Sequence, residues 1–382
     1  MNDIELNALG AQGMAALARG GNAEALRCFN AIVEAGRADG TVWVALALAR
    51  QAFGDPDGTA HALDAALKLE PQNVRALLMK GDLMADAGDR RAAVSFYGAA
   101  LDLVPDTEGL PPEAVSEMDR VRGARDRLNE ALHADLTRGL LSRGYDPATA
   151  SPRFNESLDL LAGRKRRYIQ EPRSYFFPGL PTIQVYPREN FPWLDAIEAA
   201  TADILAELQD LMADGPDIFA PYIEAEVNRP ATQADLLDDD TWTACYLWRD
   251  GAPVPEIAAR CPRTMAALEH APLERIAGRS PFALFSKLTP GAVIAPHTGF
   301  HNSRLVVHLP LIAPKGCWFR VGNETLTWEA GKAFVFDDTI EHEAANESAE
   351  TRIVLIFNIW RPELTEAERG LVASLMEGIA GL

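Results

Sequence analysis

The sequence predicts an α-helical repeat domain followed by a mainly-β domain, and three observations carry that expectation. An Ala-rich stretch repeats: AALKLEP (65–71) and AALDLVP (99–105) stand 34 residues apart. At Arg166 the composition shifts to a Pro- and aromatic-rich stretch, RRYIQEPRSYFFPGLP. From residue 282 onward, short apolar runs are separated by Pro-Gly, Gly-Asn and Ala-Gly turns, which suits compact antiparallel β-structure.

The repeats occupy residues 1–106. Gly20, Gly54 and Gly88 share the 34-residue step, as do Ala31, Ala65 and Ala99. Small residues at those positions are expected to let paired helices approach, and three units resembling tetratricopeptide repeats follow. Such repeats either dock a peptide on a concave face or only stabilise and dimerise the chain. Residues 107–165 read as a helical connector, because LPPEAVSEMDRVRGARDRLNEALHADLTRGLLSRG has Pro near its start and Gly near its end. His133 falls in it as a surface residue. The basic run 164–167 reads as a solvated charge run. Residues 166–382 form the third segment, entered through irregular structure and a helix, LDAIEAATADILAELQDLMADG. TWTACYLWRDG (241–251) reads as a strand and turn, with Trp242, Tyr246 and Trp248 alternating on one face. That face is either core or an aromatic wall of a substrate cleft.

Composition narrows the function classes. The 382 residues are enough for two or three domains, and 48% hydrophobic content permits real cores. A net charge of −19 argues against a nucleic-acid partner, which needs basic patches. No apolar run approaches the roughly 20 residues of a membrane span. With MNDIELNALG carrying no basic-plus-apolar leader, a cytoplasmic location is expected. Cys28, Cys245, Cys261 and Cys317 lack CxxC spacing and read as reduced thiols.

Four of the seven histidines lie in the strand-rich segment: His297, His301, His308 and His342. His297 and His342 are about 45 residues apart, one early and one late in the strand series, so a barrel of non-adjacent strands can bring them together. Neutral imidazole suits iron, zinc or copper. In RLVVHL, Arg304, Val306 and His308 share one strand face, and Leu305, Val307 and Leu309 the other. In RIVLIFN, Arg352, Val354, Ile356 and Asn358 are likewise in phase. A buried Arg needs an anion, and a carboxylate matches its fork. Two histidines with an inward Arg ten residues after the second place a metal beside an organic acid.

The motifs PHTG (296–299), Asn302, RLVVHL (304–309), NETLTWEAGK (323–332), FDDTIEHE (336–343) and RIVLIFNIWRPELT (352–365) occur in that order. With them the chain resembles the aspartyl/asparaginyl β-hydroxylase family, and weaker similarity reaches back to FPGLP near Phe177. The resemblance implies a double-stranded β-helix (jelly-roll) fold, Fe(II) held by His297 and His342, and 2-oxoglutarate and O2 as co-substrates. It implies Arg352 and Ser286 on the distal carboxylate of 2-oxoglutarate and His308 near the other end. It also implies that Arg304 lies in the same pocket. Gly299, two after His297, offers no carboxylate ligand, a gap for which the family is known. Animal members carry another Arg where this chain has Val306.

Rival roles remain for neighbouring residues. His301 reads as a cleft residue, since Pro296 and Gly299 oppose the helix that an HxxxH metal pair needs. Asp337 and Asp338 read as turn or outer-sphere residues, Glu341 and Glu343 as facing away from His342, and Asn302 as a turn residue or cleft donor. Three function classes follow: hydroxylation of Asp or Asn in a peptide or protein delivered by the repeats; oxygenation of an acyl chain or free amino acid; a repeat scaffold without chemistry. For the first, a peptide enters past Arg304 and the Trp242/Tyr246/Trp248 face, with Arg304 the inward cation that holds it.

Overall fold

The structure is a computed structural model that describes residues 2–213, 215, 218–222 and 240–380. It divides into two compact units, the first ending at Lys165 and the second starting at Arg166.

The first unit is all helical. Three antiparallel pairs come first: α1 (Asp3–Ala18) with α2 (Asn22–Glu34), α3 (Gly40–Ala52) with α4 (Pro56–Leu69), and α5 (Val74–Asp86) with α6 (Arg90–Leu103). Side chains of Asp39, Asp55, Asn73 and Asp89 cap the N-termini of α3 to α6 by accepting from backbone N–H groups. Gly20, Gly54 and Gly88 each follow the first helix of a pair with φ of 78°, 78° and 80°, left-handed backbone that glycine adopts without a Cβ penalty. The 34-residue step is therefore a structural period.

The small residues that let the helices approach are not the expected set. Ala31 and Ala65 are half-buried and Ala99 is exposed, whereas Ala25, Thr59 and Ala93 are fully buried. The period was legible but the helix phase was not, because 3.6-residue geometry turns a one-position error through about 100°. A second small-to-large match also recurs. A Cβ at Gly13 would press on the Phe29 ring and one at Gly81 on the Tyr97 ring. The equivalent positions of the middle pair hold Ala47 and the smaller Leu63, both fully buried.

The connector is two helices: α7 (Pro112–Leu141), the long helix expected within 110–144, and α8 (Pro152–Leu161). The basic run is not a free charge patch. Arg164 pairs with Glu130 and Asp159, and His133 lies 3.5 Å from Asp159.

The second unit is β-rich, as expected. Its early helices are α9 (Leu194–Ala199) and α10 (Thr201–Ala213), the expected single helix being broken at Ala200. Its strands are β1 (Ala220–Pro221), β2 (Trp242–Arg249), β3 (Ala252–Pro253), β4 (Ala283–Leu288), β5 (Val293–His297), β6 (Arg304–Ile312), β7 (Cys317–Val321), β8 (Glu324–Thr327), β9 (Phe334–Phe336), β10 (His342–Asn346) and β11 (Arg352–Trp360). Helices α11 (Pro255–Ala258) and α12 (Pro262–Leu268) follow β3, and α13 (Glu366–Ala380) follows β11. One antiparallel sheet runs β1-β2-β4-β11-β6-β9, with β3 on β2; the other runs β5-β10-β7-β8.

Strand alternation sorts the core into two layers. Leu305, Val307, Leu309, Ile353, Leu355, Phe357 and Ile359 face outward, onto Leu194, Ile197, Ile204, Leu208 and Leu268 of the helices. Val306, Val354, Ile356 and Leu284 face inward, onto Ile294, Phe319, Val321 and Ala344 of the second sheet. Arg352 and His308 stand on that inward face.

Candidate active site

His297 ends β5 and His342 begins β10, and the two residues are direct cross-strand partners. The strands are neighbours in one sheet, so adjacency brings the rings together, with no convergence of distant strands. The ring centroids are 4.1 Å apart at an interplanar angle of 50°. Each ring is fixed by the carbonyl two residues earlier: His297 Nδ1 lies 2.8 Å from Ala295 O and His342 Nδ1 lies 3.0 Å from Ile340 O. Those contacts put the proton on Nδ1 and leave each Nε2 as a lone-pair donor. Burial, and then the neighbouring His342, lower His297 to about 3; burial lowers His342 to about 4. Both imidazoles are neutral near pH 7, the form that binds a metal. Among the described residues, no group of three or more His, Cys, Asp or Glu side chains is placed to hold a metal.

Gly299 explains the missing third side chain. A Cβ there would collide with the Asp338 carboxylate, which already fills the space. Asp338 Oδ2 accepts from Arg304 Nη2 at 3.1 Å. Arg304 is thus not the free inward cation that the strand pattern suggests; its charge is matched by a buried carboxylate. Among the described residues its Nε has no hydrogen-bond partner, nor does Asp338 Oδ1.

Arg352 is fully buried. Its Nη1 donates to Ser286 O at 3.1 Å and Ser286 Oγ at 3.2 Å, and its guanidinium sits 4.5 Å from the centroid of the Trp328 ring. Among the described residues it has no acidic partner, and its Nε is unpaired. Burial pulls it from its usual range down to about 10. Ser286 Oγ also accepts from Trp242 Nε1 at 3.2 Å. His308 is enclosed by Phe319, Trp328, Phe334 and Phe336, and burial holds it well below the usual imidazole range. Its Nδ1 has no partner among the described residues.

The aromatic face divides. Trp242 stacks on Tyr222 with centroids 4.2 Å apart and lies 6.2 Å from the His297 ring. Tyr246 packs with Phe282 on the same inward side. Trp248 does not join them. A register shift between Tyr246 and Trp248 breaks the alternation, and Trp248 packs in the outer, helix-facing layer. Asn302 is no cleft donor either. It accepts from Phe177 N at 2.7 Å and donates to Phe177 O and Gln170 Oε1 at 2.9 Å, clasping the entry segment. Asp337 pairs with Arg361 at 2.9 Å and caps Thr339, a structural role. Glu341 and Glu343 both bind Arg320, facing away from His342 as expected.

Several residues at the site carried no usable sequence signal. Tyr222 and Trp328 reach it from a short strand end and a loop. Glu274 is fully buried beside His301, with His301 Nε2 3.7 Å from its Oε1. Asn358, by contrast, is in phase with Arg352 as the strand pattern predicts; it is buried on the inward face, and neither of its amide atoms has a partner among the described residues.

Comparison with known proteins agrees with this picture. Residues 198–362 match the family model described as aspartyl/asparaginyl beta-hydroxylase. The human aspartyl/asparaginyl beta-hydroxylase is 38% identical over 136 residues, 35% of this chain and 18% of that protein. The aspartate beta-hydroxylase domain-containing protein 2 of Xenopus tropicalis is 32% identical, covering 55% of this chain and 56% of its own length. The ornithine lipid ester-linked acyl 2-hydroxylase of Rhizobium tropici is 32% identical, covering 47% of this chain and 60% of its own. The chain thus spans less than a fifth of the human relative and little more than half of the other two. The Arabidopsis OM64 TPR domain is similar at 19% identity over 31% of this chain and 94% of that one, with a TM-score of 0.27, too low to carry an argument. The β-rich unit is thus similar, over residues 198–362, to the aspartyl/asparaginyl beta-hydroxylase family.

Proposed function

We propose that the hydroxylase is an Fe(II)- and 2-oxoglutarate-dependent dioxygenase acting on a peptide or protein that bears an Asp or Asn side chain. One observation carries the reading. Among the described residues Arg352 is a buried guanidinium with no carboxylate partner, on the inward face of one sheet, and the other sheet carries a pair of neutral imidazoles whose Nδ1 atoms are engaged by backbone carbonyls. Leaving such a cation unmatched is costly unless an anion arrives.

The residues fit the absent groups. His297 and His342 would hold the metal through Nε2, and Arg352 with Ser286 would hold a distal carboxylate. Bound together, Fe(II) and 2-oxoglutarate supply oxidative insertion of one oxygen atom of O2 into a C–H bond, with loss of CO2 from the co-substrate. The chain's own residues bind, orient and exclude water. Ala295 and Ile340 carbonyls fix the two ring orientations. Trp328 and Ser286 hold the Arg352 guanidinium, and Trp242 fixes the Ser286 hydroxyl. The rings around His308 keep that end of the inter-sheet space dry. Holding the reacting carbon still is the larger part of what such a site contributes.

The helical repeats would dock the substrate and raise its local concentration. Deleting residues 1–106 should then weaken turnover of long peptides more than short ones. A second reading, an acyl-chain substrate, is favoured by the similarity to a lipid acyl 2-hydroxylase and by Val306 on the inward face. The test is 2-oxoglutarate turnover with Fe(II) against Asp- and Asn-containing peptides and acyl amides. Turnover with acyl amides alone would favour the second reading, and turnover with none would overturn both.

A further inference from the structure

The second sheet has an open edge beside the histidine pair. Among the described residues β5 pairs only with β10, so its other side is a bare strand edge. Ala292 O accepts from Asn346 N of β10 at 2.9 Å. Backbone directions alternate along a strand, so the N–H and C=O of Val293, the next residue, point to the open side. Val293 is 55% exposed, while Ile294 beside it is buried. The strand ends at His297.

Sheet edges are usually blunted by charge. This one is not. From Leu288 through Ser303 there is no Asp, Glu, Lys or Arg, in a chain that is 24% charged. β8, the other edge of the same sheet, opens with Glu324. Beyond His297 the neutral run reaches Phe300, which is 50% exposed. An exposed apolar side chain therefore stands on either side of His297, along an uncharged edge. Unpaired N–H and C=O groups at a strand edge are matched by another extended backbone. That backbone belongs to a peptide and not to a second β5. Pro296 has no N–H, which cuts the ladder short, and so short a contact falls well below the area that holds two folded chains together. A peptide needs less from the edge, because its target side chain is also held at the histidine pair.

We propose that an extended peptide adds to the free edge of β5 as an antiparallel strand, with its target residue opposite His297. This rests on the hydroxylase reading for the statement that the peptide is the substrate. The register follows from β10. His342 pairs with His297, Ala344 with Ile294 and Ala345 with Val293, so three steps of β10 span four of β5 across a bulge. The bulge puts Ile294 and His297 on the same inward face although they are three apart. A regular peptide strand with the same three-step span turns its target inward and the residue three positions later outward, opposite Val293. The edge thus selects an apolar residue three after the target, and it reads the peptide backbone without regard to charge.

Peptides with one central Asn or Asp and Leu three residues on test this, titrated calorimetrically into the full chain under anaerobic conditions with Fe(II) and 2-oxoglutarate. N-methylation of the Leu amide removes the donor that faces Val293 and should weaken binding at least about tenfold. N-methylation one residue later, where the amide points away from β5, should change it by no more than about twofold. Val293→Lys puts a charge on an exposed position and should weaken the unmethylated peptide about tenfold while leaving the melting profile native-like. In the complex, exchange of the Val293 amide hydrogen should slow at least about tenfold. Equal tolerance of the two methylations, an unprotected Val293 amide, or binding of none of these peptides would overturn the inference. So would a dimer that Val293→Lys dissociates, which would assign the edge to a second copy. The parent reading fails separately. The methylation pattern with no hydroxylated peptide on admitting O2 would keep the docking edge and remove the chemistry; hydroxylation indifferent to both methylations would keep the chemistry and remove the edge.

Discussion

Replacing Arg352 with Met probes the co-substrate clamp, because the structure sets two opposed effects against each other. Burial pulls the guanidinium down to about 10, and a lowering of that size corresponds to about 3 kcal/mol of unfavourable charge burial in the ligand-free protein. Met relieves that cost. It forfeits the hydrogen bonds to Ser286 and the contact with Trp328, together worth about 2–4 kcal/mol. The ligand-free variant should therefore stay within about 2 kcal/mol of native stability. The bound state behaves differently. Removing one partner of a buried Arg–carboxylate contact costs roughly 2–5 kcal/mol, a weakening of about 30-fold to several thousand-fold. Thermal melting with Fe(II) under anaerobic conditions reads both effects. At 2-oxoglutarate concentrations near 100 times its Kd, the native protein should gain about 2.7 kcal/mol, and the variant only a few tenths of that at the same concentration. Arg352→Lys should rescue little, since Lys lacks the planar fork. Equal stabilisation of native and Arg352→Met protein would refute the clamp. A ligand-free loss well beyond 4 kcal/mol would show that Arg352 is a structural residue instead.

Three further outcomes are expected. Gly299→Ala places a Cβ against Asp338, so it should displace that carboxylate from Arg304 and cost about 1–3 kcal/mol by chemical denaturation, with turnover reduced; an unchanged midpoint and rate would show that the loop relaxes freely. Asn302→Ala leaves Phe177 N and O without partners and should cost about 1–3 kcal/mol while leaving 2-oxoglutarate affinity unaltered, which separates its clasp from any ligand role. Burial raises the Glu274 carboxyl from 4.5 to about 7, so the group's stabilising contribution is complete below pH 4.5 and is lost as pH rises through 7. Relative to Glu274→Gln, the native protein should lose about 3 kcal/mol across that window; parallel stability curves would contradict the burial.

Local periodicity made much of this molecule legible. The 34-residue step and the alternation of β6 and β11 depend on neighbours within a few positions, and both appear in the structure. The approach of His297 and His342 was also expected, although through the wrong topology. What escaped depends on distant partners. Trp248 left its face because of a register shift with β4, which no pattern in TWTACYLWR marks. Arg304 looked free because its partner Asp338 lies on another segment, and Asn302 read as a turn residue or cleft donor because its partners Phe177 and Gln170 lie far back in the chain. Glu274 had no motif around it. Its burial emerges only when β11 runs past it.

The most direct measurement is oxygen-dependent conversion of 2-oxoglutarate to succinate by the purified full chain with added Fe(II), set beside His297→Ala and His342→Ala and their iron content. The expected result is succinate and stoichiometric iron in the native protein, with both lost in each variant, since only two side chains would hold the metal. Succinate formation that persists in either variant, or that is absent from the native protein with iron bound, would contradict a two-histidine 2-oxoglutarate dioxygenase.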